Sequence, residues 1–200
     1  MATTGLIHPY YAKYAYNETT GEVTYSDGAR LAKAVSVDIT INTTDDNHLY
    51  ADNGIAETDT AFAGGAITLS TDDLPQDISA AILGITPTTL TVGSESVSEI
   101  IFDDDTAAPD LGFGIIFTKI RHGVRLYRAV VLNKIKFNIP SDAATTQGET
   151  ITWQVPEITG TIMRADDAKH KWKREATVDA ETTADAYIKQ ILSITDTPEG

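Results

Sequence analysis

The chain has no cysteine. That excludes a disulfide framework, a thiolate nucleophile and a cysteine-based metal site. No apolar run approaches the roughly 18 residues that a membrane-spanning helix needs, and the opening MATTGLIHPYYAKY has neither the basic start nor the apolar stretch of a secretory leader. A product made and kept in a cytoplasm is the expectation, so Asn17-Glu18-Thr19 and Asn42-Thr43-Thr44 are chance matches to the glycosylation pattern. Basic residues are scarce in the first part. Residues 1–112 carry 18 acidic and 3 basic side chains, whereas residues 113–200 carry 11 and 12. The net charge of −14 therefore comes from the first part. Such a chain is poorly suited to gripping nucleic acid, because phosphate contacts require Lys and Arg. The imbalance has two readings: acidity serves solubility, or the acidic part of one copy meets the basic part of another.

Catalytic motifs are also missing. His8, His48, His122 and His170 lie far apart, and none stands in a His-Glu-x-x-His pattern. Gly93-Ser94-Glu95-Ser96-Val97 lacks the second glycine of a nucleophile elbow. Gly112-Phe113-Gly114 lacks the third glycine of a dinucleotide loop and opens a strand rather than a helix. Asp103-Asp104-Asp105 offers carboxylates to a cation, without the spacing or glycine of an EF-hand loop; a solvated charge run is the plainer reading. No enzyme activity and no cofactor is expected.

What is present is β patterning. Length fits a single domain over 1–200. The reading gives it an extended N-terminal segment (1–22), a long inter-strand arm (43–63) and a C-terminal extension (165–200). Leu31, Val35, Val37, Ile39 and Ile41 alternate with polar residues, as in a half-buried strand. Ile67 and Leu69 mark its return. Val23–Tyr25 reads as a short strand, Ser26-Asp27-Gly28 as a turn, residues 86–96 as a Thr/Ser/Gly-rich loop, and Val97–Phe102 as a strand. The strongest hairpin spans Leu111 to Ile139 and turns at Arg121-His122-Gly123. Residues 149–164, with Ile151 and Trp153 in phase, read as a further strand broken by Pro156. A flanking helix is expected over about 73–83, with Asp73 as N-cap, Gln76 closing a capping box and Gly84 ending it. A short C-terminal helix is expected over about 183–193. The fold class is thus mainly β (α+β), two packed antiparallel sheets in a β-sandwich or barrel-like form.

Between the first two alternating strands lies TTDDNHLYADNGIAETDTAFA, from Thr43 to Ala63. Hairpin connections usually take about 2–5 residues, so this arm is anomalously long. It combines acids (Asp45, Asp46, Asp52, Glu57, Asp59) with apolar side chains (Leu49, Tyr50, Ile55, Phe62), a mixture suited to docking. Tyr10, Tyr11 and Tyr14 form a second interface candidate, although packing on the chain's own domain explains them equally. The basic hairpin residues Lys119, Arg121, Arg125 and Arg128 form a third.

Five stretches in order carry a resemblance. They are Gly5–Tyr14 (GLIHPYYAKY), Tyr25–Ala34 (YSDGARLAKA), Leu49–Glu57 (LYADNGIAE), Gly112-Phe113-Gly114 with Gly123–Ala129 (GVRLYRA), and Gly148–Ile151 through Gly160–Arg164 (GTIMR). Over roughly residues 5–165 the chain resembles the major tail proteins, or tail-tube proteins, of long-tailed, non-contractile phages of Gram-positive bacteria and their prophages. The resemblance implies a structural virion protein. It implies homohexameric rings stacked into a tail tube, with the genome passing through the lumen without specific binding. Carried over by position, the arm is the ring-stacking loop, joined by the Tyr-rich segment and the last helix. It also implies a tape measure protein, a tail terminator and baseplate or distal tail proteins as partners, with assembly in the host cytoplasm. Two alternatives remain: a monomeric β-sandwich module binding a sugar or cation, and the inner tube of a phage-derived bacteriocin or secretion device.

Overall fold

A computed structural model of the chain describes residues 2–44, 47–52, 54–140 and 155–195; along 47–51 and 54–59 it describes the backbone alone. The strands are β1 (Ala2–Asn17), β2 (Glu22–Arg30), β3 (Ala34–Thr43), β4 (Asn47–Ala51), β5 (Gly54–Asp59), β6 (Phe62–Thr71), β7 (Thr88–Val92), β8 (Glu95–Glu99), β9 (Leu111–Arg121), β10 (Val124–Phe137), β11 (Glu157–Met163) and β12 (Lys173–Val178). The helices are α1 (Gln76–Leu83) and α2 (Glu181–Ile191). The fold is mainly β, as the alternation implied.

Eight strands join in one antiparallel sheet ordered β2-β1-β9-β10-β11-β6-β3, with β12 also on β10. Strand β10 is where the sheet forks. Along one edge it pairs with β9; along the other, residues 127–132 pair with β12 and residues 134–137 with β11. The β11 branch carries on through β6 and β3, and its inner face packs on β9 and β1. Among the described strands the sheet does not close into a barrel. Two backbone bonds lengthen existing ladders: Leu31 N–H to the Pro9 carbonyl at 2.8 Å prolongs β1–β2, and Asp72 N–H to the Lys33 carbonyl at 2.9 Å prolongs β3–β6.

Two cores result, one on each face of β9. Phe113 and Ile115 face a core closed by Ile67 and Leu69 of β6, Ile158 and Ile162 of β11, and Ile82 and Leu83 of α1. Ile116 faces the other way, against Ala184, Ile188 and Leu192 from the α2 end of the chain. Burial on both sides explains why LGFGIIF reads as a continuous apolar run rather than an alternation. On the α2 side β9 offers glycine: a Cβ at Gly114 would stand 2.4 Å from Ile188 Cγ2. Gly114→Val is therefore expected to lower stability by about 1–3 kcal/mol through overpacking, measured by urea unfolding, with α2 amides losing exchange protection first.

Local signals were redirected in several places. Ser26-Asp27-Gly28 is not a turn: β2 runs through it, with Asp27 at φ 49° and a register shift opposite Tyr11/Lys13. A residue tolerant of positive φ serves a bulge as well as a turn. Val35 leaves its expected face and is exposed, because the β3–β6 register shifts between Ala34 and Ser36. Helix α1 begins at Gln76 without a side-chain cap. Asp73 accepts from Leu74 N–H instead, and Gln76 reaches the Ser98 carbonyl. Gly84 does end the helix in the left-handed conformation, φ 71°. Residues 86–96 are not loop but most of the β7–β8 hairpin. Helix α2 starts at Glu181, two residues before the expected start at about 183. Ile151 and Trp153 lie outside the described residues.

Candidate assembly surfaces

Three hairpins project from this frame. The first is the arm, whose backbone forms β4 and β5, paired from Asn47↔Asp59 to Ala51↔Gly54. It turns through Asp52, which takes φ 49°. The arm prolongs β3 and β6, with its base fixed by Thr44 N–H to the Ala61 carbonyl (2.8 Å) and Ala61 N–H to Thr44 Oγ1 (3.0 Å). Asp45 and Asp46 lie outside the described residues. For Leu49, Tyr50, Ile55, Glu57 and Asp59 the backbone places them on the hairpin. Phe62 differs from the rest of the set. It stacks on Trp172 at 4.5 Å between centroids and 8° between planes, and Arg164 lies 5.8 Å over its ring and donates to its carbonyl. Phe62 thus anchors the base of the arm within its own chain.

The tyrosine set also turns inward. Neighbouring residues on a strand face opposite ways, so Tyr11 enters the β6–β11 core and Tyr10 the α2 core. Both are buried in this chain, the own-domain alternative stated for them. Tyr10 Oη donates to Asp185 Oδ1 at 2.8 Å, and His8 Nδ1 lies 3.1 Å from the same oxygen. Tyr14 packs edge-on against Tyr25 and donates to Asp166 Oδ2 at 2.9 Å. Burial pushes the Tyr14 phenol up to about 12.

The basic hairpin divides along its length. Near the fork its charges are used internally. Arg128 pairs with Glu175, and Lys134 reaches Asp110 (3.3 Å) and Asp166 (2.6 Å). At the tip, Lys119 is half-buried, Arg121 and Arg125 are exposed, and no ion pair involves them among the described residues. His122 (φ 50°) and Gly123 (φ 81°) form the two-residue turn, as in a primed hairpin turn.

The third hairpin, β7–β8, was half read in the sequence: a strand was expected over Val97–Phe102, β8 runs over Glu95–Glu99, and β7 fell in the expected loop. Threonine and serine disguised it. The usable signal was Leu90 and Val92 mirrored by Val97 across Gly93-Ser94, with Gly93 at φ 67°. Asp103, nearby, accepts from Thr106 Oγ1 and Asp105 N–H, which makes the acidic run a local turn. No group of three or more His, Cys, Asp or Glu suited to a metal gathers among the described residues, and none of the described helices is long and apolar enough to cross a membrane.

Several carboxylates are tied to the frame. Lys173 and Arg128 hold Glu175 down to about 2. Lys134, and then Tyr14, hold Asp166 below its ordinary value against the opposing effect of burial. A carboxyl depressed in the folded state contributes stability above its unfolded value, near 4, and loses it as pH falls through the folded value. The melting temperature is therefore expected to fall from about pH 4 downward. Glu175→Gln should flatten the part of that decline near pH 2–4, measured by melts across the range.

Comparison with known proteins finds no family model that matches the chain and no curated protein that matches it.

Proposed function

We propose that this chain is a structural, self-assembling tail-tube protein, forming hexameric rings that stack into the conduit for genome delivery of a long-tailed phage. The observation that carries the proposal is the arm. It is a built hairpin continuing two core strands past the body of the domain, and its sequence combines apolar and acidic residues. An isolated two-stranded hairpin is marginal in water, so one that leads away from the core needs another surface. The unpaired outer edges of β2 and β3 among the described strands give ring closure a backbone route, since exposed edges pair readily. The ordered resemblance over residues 5–165 supplies the particular assembly. A tape measure protein, tail terminator and distal tail proteins are the partners it implies. An acidic lumen would let DNA pass without holding it.

Negative-stain microscopy of the purified chain tests this directly. Rings of about six subunits and stacked tubes are expected. A chain that stays monomeric at every concentration and salt would overturn the proposal. Tubes would leave a phage tail and a phage-derived device both open, and neighbouring genes for a capsid and a tape measure decide between them.

A further inference from the structure

Hairpin β7–β8 has two unlike faces. Its register sets Leu90 opposite Val97, Val92 opposite Glu95 and Thr88 opposite Glu99. These six residues share one face, while Thr89, Thr91, Ser96 and Ser98 share the other. The first face is apolar and acidic, and it lies open: Leu90 is 49%, Val92 56% and Val97 44% exposed. Nothing basic interrupts it, because residues 86–110 contain no Lys or Arg.

The β9–β10 tip carries the complement. Arg121 pairs with Val124 and Lys119 with Leu126, so these four share a face. Val124 is 58% exposed. Arg125 and Ile120 oppose each other on the reverse face. One hairpin thus presents Val and Leu flanked by Glu, and the other presents Val and Leu flanked by Arg and Lys.

We infer that the β7–β8 hairpin of one copy docks, through its Leu90/Val97 face, on the Lys119/Arg121/Val124 face of the β9–β10 tip of a second copy. Each copy then has one donor and one acceptor surface. Such head-to-tail contacts generate rings where the rotation closes and filaments where it does not. The apolar residues supply desolvated area, and the charges fix register and exclude the acid-to-acid pairing. The inference rests on the assembly reading above and assigns it a contact made by neither the arm nor the sheet edges.

A charge-swap mixing experiment tests it. Glu95→Lys/Glu99→Lys makes both surfaces of a copy basic; Lys119→Glu/Arg121→Glu makes both acidic. All changed side chains lie on projecting hairpins, and circular dichroism melts verify folding. Each variant alone is expected to lose at least about tenfold in self-association by sedimentation velocity. An equimolar mixture is expected to recover it, because alternating copies restore every opposite-charge contact. Arg125→Glu, on the reverse face, should change association much less. Wild-type assembly together with unimpaired single variants would overturn this contact and leave the tube reading standing, as would a mixture that fails to recover. A wild-type chain that never assembles overturns the tube reading itself.

Discussion

Removal of Asn47–Asp59 is expected to yield a folded subunit that no longer stacks into tubes. The physical reason lies at the base of the arm. Thr43 still pairs with Phe62, and Thr44 and Ala61 still exchange their two hydrogen bonds. The ends of the deletion are therefore already side by side, and Asp45, Asp46 and Thr60 remain to turn the chain. Closing a short connection between strands held this way costs little loop entropy. Phe62, which packs against the β6–β11 core, lies outside the deletion and stays in place. Stability should thus change by no more than about 1 kcal/mol, read as a shift of a few degrees in the thermal melt. Assembly should change qualitatively, from tubes to isolated rings or subunits by negative stain. Normal tubes from the deleted protein would remove the arm from the stacking role. A deleted protein that fails to fold would show the hairpin to be part of the domain.

The parts of the fold legible in the sequence were those where local pattern and tertiary demand agree. Ile67 and Leu69 alternate because one face of β6 is core and the other is not. His122-Gly123 turns because both residues accept positive φ. What could not be read depended on which surface lies opposite. Tyr10 and Tyr11 look like one aromatic patch, yet they belong to two cores, and nothing in a linear pattern announces a second core. Arg128 reads as one of four available cations; its partner Glu175 comes from a strand 47 residues later. Phe62 was separable from the other arm residues only by Trp172, far along the chain. The β7–β8 hairpin is the converse case. It buries little, so it left a weak hydrophobic signature, and the few apolar residues it exposes became meaningful only once their common face was known. Exposed apolar residues of this kind are hard to read because core pattern and surface pattern use the same side chains.

Truncation after Ala180 is expected to be the most destabilising change. The resemblance gives the last helix a share in contacts between rings, but its packing points first to the protomer. Ala184, Ile188 and Leu192 are fully buried against Tyr10, Ala12, Ile116, Ala129 and Val131. The helix is also tied by charge: Asp185 takes the Tyr10 hydroxyl at 2.8 Å and pairs with Lys189 at 2.7 Å. Burial alone would raise the Asp185 carboxyl, yet Lys189, Tyr10 and His8 together hold it below its usual range. Losing α2 re-exposes one whole face of β9 and β10. At about 1.5–3 kcal/mol for each large apolar side chain, the loss amounts to roughly 5 kcal/mol or more, a large part of the 5–15 kcal/mol typical of a domain. A fall of about 10–20 °C in melting temperature follows for a chain of this size, together with aggregation visible by light scattering, because the uncovered face is apolar and broad. A truncated protein that melts like the full chain but cannot stack would assign α2 to contacts between subunits instead. Ile188→Ala separates the two roles further. It deletes a contact to the sheet while keeping the helix surface that a neighbouring ring would meet, so it should cost about 2–5 kcal/mol in stability and leave tube morphology unchanged below the new melting point.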